Sequence, residues 1–406
     1  MQANEQQLSE RIENLARIGG AEGGGMMRLA FSDEDIAGRE YIMELMNNLQ
    51  LDVKIDAAGN IIGRRAGSES GLPVIAFGSH VDTVPYGGKY DGNLGVLAAL
   101  ETIQLFNDQG ISTRHPLEVV VFAAEEEGLY GSRAMAMGLA DDELATVVNC
   151  GKTVRDGIAA IGGNPDQIGE AKRNRDEFCA YLELHIEQGK VLETQANTIG
   201  VVEGIVALHQ YTIKLTGVAN HAGTTPMHMR KDTLLAASRV IQQVHTLAFA
   251  NKDKLVATVG QVQVFPGATN CIAGEVTLSL DCRSLDDKEI EKLVKQLKDF
   301  MNRQDKETGI RSTIKPVVFT AAAPASEFIQ QTLAEQAEQL GYSYQHLPSG
   351  AGHDAQNMAL VTAMGMLFVP SRDGVSHSPQ EYTTPGHMAA GASVLASTVL
   401  KLDEKL

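Results

Sequence analysis

Several things are scarce in this 406-residue chain, and each scarcity removes a class of function. No apolar run reaches the roughly eighteen residues of a membrane-spanning helix, so a membrane span is not expected. Cysteine occurs four times, at Cys150, Cys179, Cys271 and Cys282, with no CxxC spacing and no repeating framework. In a chain this long that pattern fits reduced, packed thiols and not disulfides or zinc ligands. Basic residues are outnumbered, 34 against 51 acidic, for a net charge of −17. That balance argues against nucleic acid and anionic membranes as partners. Internal repeats and low-complexity segments are absent. The N-terminal stretch "MQANEQQLSERIENLARIGG" is polar and reads as a helix, not a signal peptide. These absences together point to a soluble, cytoplasmic protein, and a length of 406 residues suggests two or three domains.

What is present is an alternation of short apolar runs and helical patterns. "PVIAFGSH", "LEVVVFAA", "AYLELHI" and "MGMLFVPS" read as buried strands. "FSDEDIAGREYIMELMNNLQL" reads as a helix with a capping box from Ser32 to Asp35. "GNLGVLAALETIQLFNDQG" reads as a helix stopped at Gly110. Continuous apolar runs alternating with helices predict an α/β fold with a mostly parallel, helix-covered sheet. The segment 207–320 differs. "QYTIKLTGV" alternates like a strand with one wet face, "KLVATVGQVQVFP", "GEVTLSLDCRS" and "RSTIKPVVFT" read as strands, and an amphipathic helix, "KDTLLAASRVIQQVHTLA", and a long charged helix, "DDKEIEKLVKQLKDFMNRQ", separate them. The order β-α-β-β-α-β predicts a ferredoxin-like domain inserted at 207–320 into a larger domain formed by 1–206 and 321–406.

Chemistry gathers just after the buried strands. His80 follows the first, Glu125, Glu126 and Glu127 the second, His185 ends the third, and His377 follows the fourth. Ligands of open α/β sheets bind beyond the carboxyl ends of the strands. A single His there is usually a hydrogen-bonded structural residue, and a run of Glu is usually a solvated face. Four strands delivering imidazoles and carboxylates to one edge instead suggest a metal site, because charge beside buried strands needs partners. His80, Asp91, Glu127, His185 and His377 make five ligands. One open catalytic zinc takes about three protein ligands, so five fit two ions sharing a carboxylate. Zinc is the first expectation; manganese, cobalt or nickel would accept the same donors.

The stretches "GSHVDTVPYGGKYDGNLG", "AAEEEG", "LELHIEQG", "ANHAGTTPM", "SGAGHDAQ" and "FVPSRDGVSHSPQEYT" together resemble the M20 metallopeptidase family. "HIEQG" and "GAGHDA" narrow the resemblance to its ureido-cleaving branch: N-carbamoyl-L-amino-acid hydrolases, allantoate amidohydrolases and β-ureidopropionases. The resemblance implies two divalent ions held by His80, His185, Glu127 and His377 with Asp91 bridging. Asp82 would steady the His80 imidazole from behind. Glu126 would be the general base, the "EEG" of the branch placing the ligand directly before the glycine; Glu125 and Glu126 as base and ligand is the alternative. The inserted domain would be a lid that also forms a homodimer. His221 in "NHAGTTP" would reach the oxygen of the tetrahedral intermediate, often in the partner's site. Arg283 and Asn270 would grip a substrate carboxylate, and Gln188, Gly352 and His353 would line the pocket.

The resemblance implies metal-dependent hydrolysis of a ureido C–N bond by activated water, with an N-carbamoyl-L-amino acid as first substrate. Allantoate is the near rival. An aminoacylase, a dipeptidase or an inactive binding protein of the same fold is more distant. The chain departs from the branch in two places. "EEEGLYGSRAM" is shorter than usual, which bears on pocket shape, and "VNCGKT" puts Cys150 where relatives often carry an acidic residue.

Overall fold

The computed structural model describes every residue except Glu22. The chain divides into two compact units, Met1–Gly204 with Pro324–Leu406, and Ile205–Ala323. Among the described residues, no helix is long and apolar enough to cross a membrane.

Following the chain, the first unit opens with helices Glu5–Ala16 and Asp33–Asn48. Ser32 caps the second of these, accepting from the Asp35 amide at 3.1 Å. The return bond of the expected capping box goes one residue further back, from the Phe31 amide to Asp35 at 2.8 Å. Strands β1 (Asp52–Ile55), β2 (Ile61–Arg65), β3 (Val74–His80), β4 (Leu117–Phe122), β5 (Phe178–Ile186) and β6 (Ile199–Ile205) follow. The second unit holds β7 (Ala207–Thr216), β8 (Asn220–His221), β9 (Leu255–Thr258), β10 (Val262–Phe265), β11 (Cys271–Ile272), β12 (Glu275–Ser284) and β13 (Arg311–Thr320). β14 (Ala323–Pro324) crosses back into the first unit, where β15 (Tyr344–Ser349) and β16 (Met364–Val369) follow.

The main sheet has the order β1-β2-β4-β3-β5-β16-β6-β14, with β15 on β6. Its centre is parallel: β3 pairs with β4 and β5, and β16 pairs with β5. Every residue of β3, β4 and β16 is buried, as expected of strands covered on both faces. The two-residue period of β5 divides its side chains. Leu182, Leu184 and Ile186 join the large core built with Leu94, Leu97 and Phe106 of helix Asn93–Asp108 and Val394, Leu395 and Val399 of helix Pro385–Lys405. Tyr181, Glu183 and His185 point to the other face. There the Ala355 amide, at the start of helix Asp354–Met358, donates to Glu183 at 3.0 Å. In register, His80 lies opposite Phe122 and Phe368 opposite His185. The residues following these positions therefore emerge at one sheet edge.

The second unit has the order β10-β12-β7-β13, with β9 also on β12. Strands one to four of the unit thus lie in the order four-one-three-two of a ferredoxin-like sheet, its second strand split into β9 and β10. Val276, Leu278, Leu280 and Cys282 of β12 are buried in a core with helices Thr233–Phe249 and Asp287–Thr308. The alternate residues of β12, Ser279, Asp281 and Arg283 among them, are only partly buried.

Candidate metal centre and active site

Asp91 stands at the middle of the sheet edge, just before helix Asn93–Asp108. Its Oδ1 lies 3.1 Å from His185 Nε2 and 3.5 Å from His80 Nε2. Its Oδ2 lies 3.5 Å from His377 Nε2. Glu126 approaches the same His377 nitrogen at 3.6 Å, and Glu125 approaches His80 Nε2 at 3.7 Å. Two sets of donors, His80–Asp91–His185 and Asp91–Glu126–His377, each fall within 4.8 Å of one another and share Asp91. The imidazoles are aimed by the backbone. His80 Nδ1 sits 3.0 Å from the Asp82 carbonyl, and His185 Nδ1 sits 2.9 Å from the Ile186 carbonyl. Each Nδ1–H is spent on a carbonyl, so Nε2 faces the cluster, as behind metal-bound histidines.

The electrostatics call for added positive charge. Burial would raise Asp91, yet His185, His377 and His80 hold it well below the usual carboxylate range. Burial opposes charge on His80, yet Glu125, Asp82 and Asp91 raise it well above its ordinary value. Burial pushes Glu125 well up, with Glu126 and Asp354 adding to the rise, and takes Glu126 to about 7 with help from Asp91. Among the described residues these carboxylates form no ion pair with Lys or Arg. Buried carboxylates that face imidazoles and have no Lys or Arg partner are what divalent ions neutralise, and imidazole with carboxylate is a donor set they accept.

In the glutamate run the structure brings the alternative pair, Glu125 and Glu126, to the histidines, and not the first choice, Glu126 and Glu127. Glu127 does not reach the cluster: its Oε1 accepts the Asn149 amide at 3.1 Å. The carboxylates brought to the histidines are Glu125 and Glu126. The reason is local. β4 ends at Phe122, Ala124 turns the chain with a φ of 52°, and the Asp82 carboxylate accepts the amides of Glu125 and Glu126 at 3.2 and 3.1 Å. Asp82 thus sits behind both His80 and the glutamate turn.

Other expected residues fall around the cluster. Gln188, with a φ of 56°, donates Nε2–H to Asp91 Oδ2 at 2.6 Å. His353 is buried, 4.5 Å ring to ring from His185, and is held by the Ser349 hydroxyl at 2.9 Å. Gly352 beside it is exposed. Cys150 packs against the small cluster of Ala30, Phe31 and Leu144, away from the donor sets. Two residues went unnoticed in the sequence. Glu381 accepts the Tyr90 and Asp91 amides at 2.9 and 3.1 Å, and Ser376 lies 2.8 Å from Glu381 and 2.9 Å from Asp91 Oδ2. Both flank His377 in "GVSHSPQEYT", and that proximity was the available signal.

Residues 76–401 match the profile of Peptidase family M20/M25/M40. The chain is 38% identical over 402 residues to the N-carbamoyl-L-amino acid amidohydrolase of Geobacillus stearothermophilus, covering 98% of each. It is 34% identical to the allantoate amidohydrolase of Bacillus subtilis, covering 97% of each. The chain belongs to the M20 family. Within it, the chain falls in the hydantoinase/carbamoylase amidohydrolase branch, as hydrolases of C–N bonds. A solved hydantoinase/carbamoylase family amidase from Burkholderia multivorans superposes with a TM-score of 0.90 at 36% identity over 98% of each chain.

The remaining candidates of this M20 chain lie in its second unit, and the sheet separates them. His221 on β8 pairs with Cys271 on β11, and the Ala222 amide donates to the Asn270 carbonyl at 2.9 Å. His221 and Asn270 are therefore neighbours, and both are exposed. His221 Nδ1 accepts the Gly223 and Thr224 amides at 3.0 and 3.2 Å. Its proton then belongs on Nε2, which becomes a donor. Arg283 is at the other end of β12, opposite Leu208 where the chain enters the unit. Strand spacing puts it about 26 Å from Glu275, beyond which His221 and Asn270 lie.

Proposed function

We propose that this chain is a dinuclear metal amidohydrolase that cleaves the carbamoyl group from an N-carbamoyl-L-amino acid. The observation that carries the reading is the pair of donor sets sharing Asp91, with the Glu125 carboxylate beside them. His80 and His185 would hold one ion, Glu126 and His377 the other, and Asp91 both. Two divalent ions bound there would supply polarisation of the carbonyl oxygen and a water that ionises near neutral pH. Glu125 takes the proton of the attacking water and returns it to the leaving nitrogen. The reaction is R–NH–CO–NH2 plus water to R–NH2, carbon dioxide and ammonia. His221 offers its Nε2–H to the oxygen that becomes negative, and Arg283 grips the substrate carboxylate. Their separation within one unit supports a homodimer in which His221 and Asn270 serve the partner's site while Arg283 serves its own. The relative from Geobacillus stearothermophilus supports the carbamoyl amino acid as substrate. Acidic net charge and four free cysteines fit a cytoplasmic enzyme.

The test is a steady-state panel of N-carbamoyl-L-amino acids, allantoate and N-acetyl-L-amino acids on metal-loaded protein. The expected order has a carbamoyl amino acid first. Allantoate first would move the substrate within the branch; an acetylated substrate first would sink the ureido reading.

A further inference from the structure

Arg283 has an acidic neighbour on its own strand. The two-residue period of β12 puts Asp281 on the same face as Arg283, away from the helices. Asp281 Oδ1 accepts from Arg283 Nε at 3.0 Å, and Oδ2 accepts from Nη2 at 3.3 Å. The carboxylate therefore lies along the Nε edge of the guanidinium. From β7, Gln210 is the direct register partner of Asp281, and its Nε2 donates to Oδ2 at 3.0 Å. All three side chains line a hollow of about 730 Å³ in the open face of this sheet, with Thr258 opposite Asp281 on β9.

A guanidinium is planar, so a carboxylate that fixes one edge fixes the direction of the rest. A strand-borne Arg without such a partner samples many rotamers and loses that freedom on gripping a ligand, which weakens binding. Asp281 is itself tied. Burial would raise its pKa, but the hydrogen bonds of Arg283 and Gln210 and the Arg283 charge lower it, so it remains ionised at neutral pH. Gln210 adds a tether from a second strand, so the carboxylate is held from both sides of the β12–β7 pairing.

We infer that Asp281, braced by Gln210, is the positioning residue of Arg283 and sets the orientation in which its guanidinium meets the carboxylate of the substrate. The inference rests on the reading of Arg283 as the carboxylate anchor. Asp281 touches no reacting atom; it acts by preorganising the anchor, so its removal is felt in substrate binding and not in the chemical step.

The test uses full-length, metal-loaded Asp281→Asn, Gln210→Ala, Arg283→Lys and the Asp281→Asn/Arg283→Lys double variant. Each is assayed with whichever of N-carbamoyl-L-alanine and allantoate the wild type turns over faster. Asp281→Asn should raise KM about tenfold with kcat within about twofold, and Gln210→Ala should raise KM less. In the Arg283→Lys background, Asp281→Asn should add no more than about twofold, because the fork it positions is gone. A raised KM in Arg283→Lys with an unchanged or lowered KM in both Asp281→Asn and Gln210→Ala overturns this inference alone, as does a loss confined to kcat. An unchanged KM in Arg283→Lys removes the anchor reading, and this inference with it.

Discussion

Asp91 concentrates the demands of the site on one side chain. It faces three imidazoles and accepts from Gln188 and Ser376, and its own amide is taken by Glu381. At this scale the glutamate run is the sharpest test. Glu125→Gln should lower kcat by about 10²–10⁴ while both ions stay bound, measured by turnover alongside metal analysis. Glu127→Gln should stay near wild type, since its carboxylate only accepts the Asn149 amide; a collapse in that variant would restore the later register. Loading should also be linked to protons. Glu126 sits at about 7 without a cation, mainly through burial, and a ligand carboxylate must be ionised. Below that pH its proton has to leave as a cation enters, so affinity falls with acidification. Calorimetry in buffers of different ionisation enthalpy should count about one more proton released at pH 6 than at pH 8. Glu126→Gln should remove that increase, and a count independent of pH in the wild type would refute the linkage.

At the scale of elements, the site is a consequence of where strands stop. β3, β4, β5 and β16 run parallel, so their carboxyl ends meet, and the loops that follow carry the donors. The loop after β3 must bring Asp91 back under His80, and a glycine makes that return possible. Gly92 has a φ of +63°, and a Cβ there would lie 2.4 Å from the His80 ring. Gly92→Ala should weaken metal binding about 10- to 100-fold, read by chelator competition, because it both strains the turn and displaces an aimed imidazole. Unaltered affinity would mean that the loop has slack the packing does not suggest. Gly88 works similarly, its Cβ position being taken by the Glu381 carboxylate at 2.1 Å.

At the scale of the molecule, the second unit is a sheet with one helix-covered face and one open face, and its two candidate contact points lie at opposite ends. If each site takes Arg283 from its own chain and His221 from its partner, two inactive variants can complement. His221→Ala and Arg283→Ala proteins, unfolded and refolded together, should recover about one quarter of wild-type activity. Half of the dimers would be mixed, each with one intact site. No recovery despite mixed dimers, verified by differently tagged chains, would place both residues in the same site.

The sequence by itself determined the layers and which strand ends carry imidazoles and carboxylates. Continuous apolar runs specify strands buried on both faces, one-sided alternation specifies the half-wet sheet of the second unit, and His80, Asp91, His185 and His377 stand out because imidazoles and a carboxylate follow or flank such runs. These are local signals, carried by period and by residue type. Which glutamates meet the histidines was not local. Three identical residues in a row cannot distinguish themselves; the turn at Ala124 and the Asp82 carboxylate, far away in sequence, choose Glu125 and Glu126. The same holds for Glu381 under Asp91 and for Asp281 against Arg283. Their roles depend on pairings that only the folded chain creates, because a hydrogen bond needs its two partners within about 3 Å, and sequence distance says nothing about that.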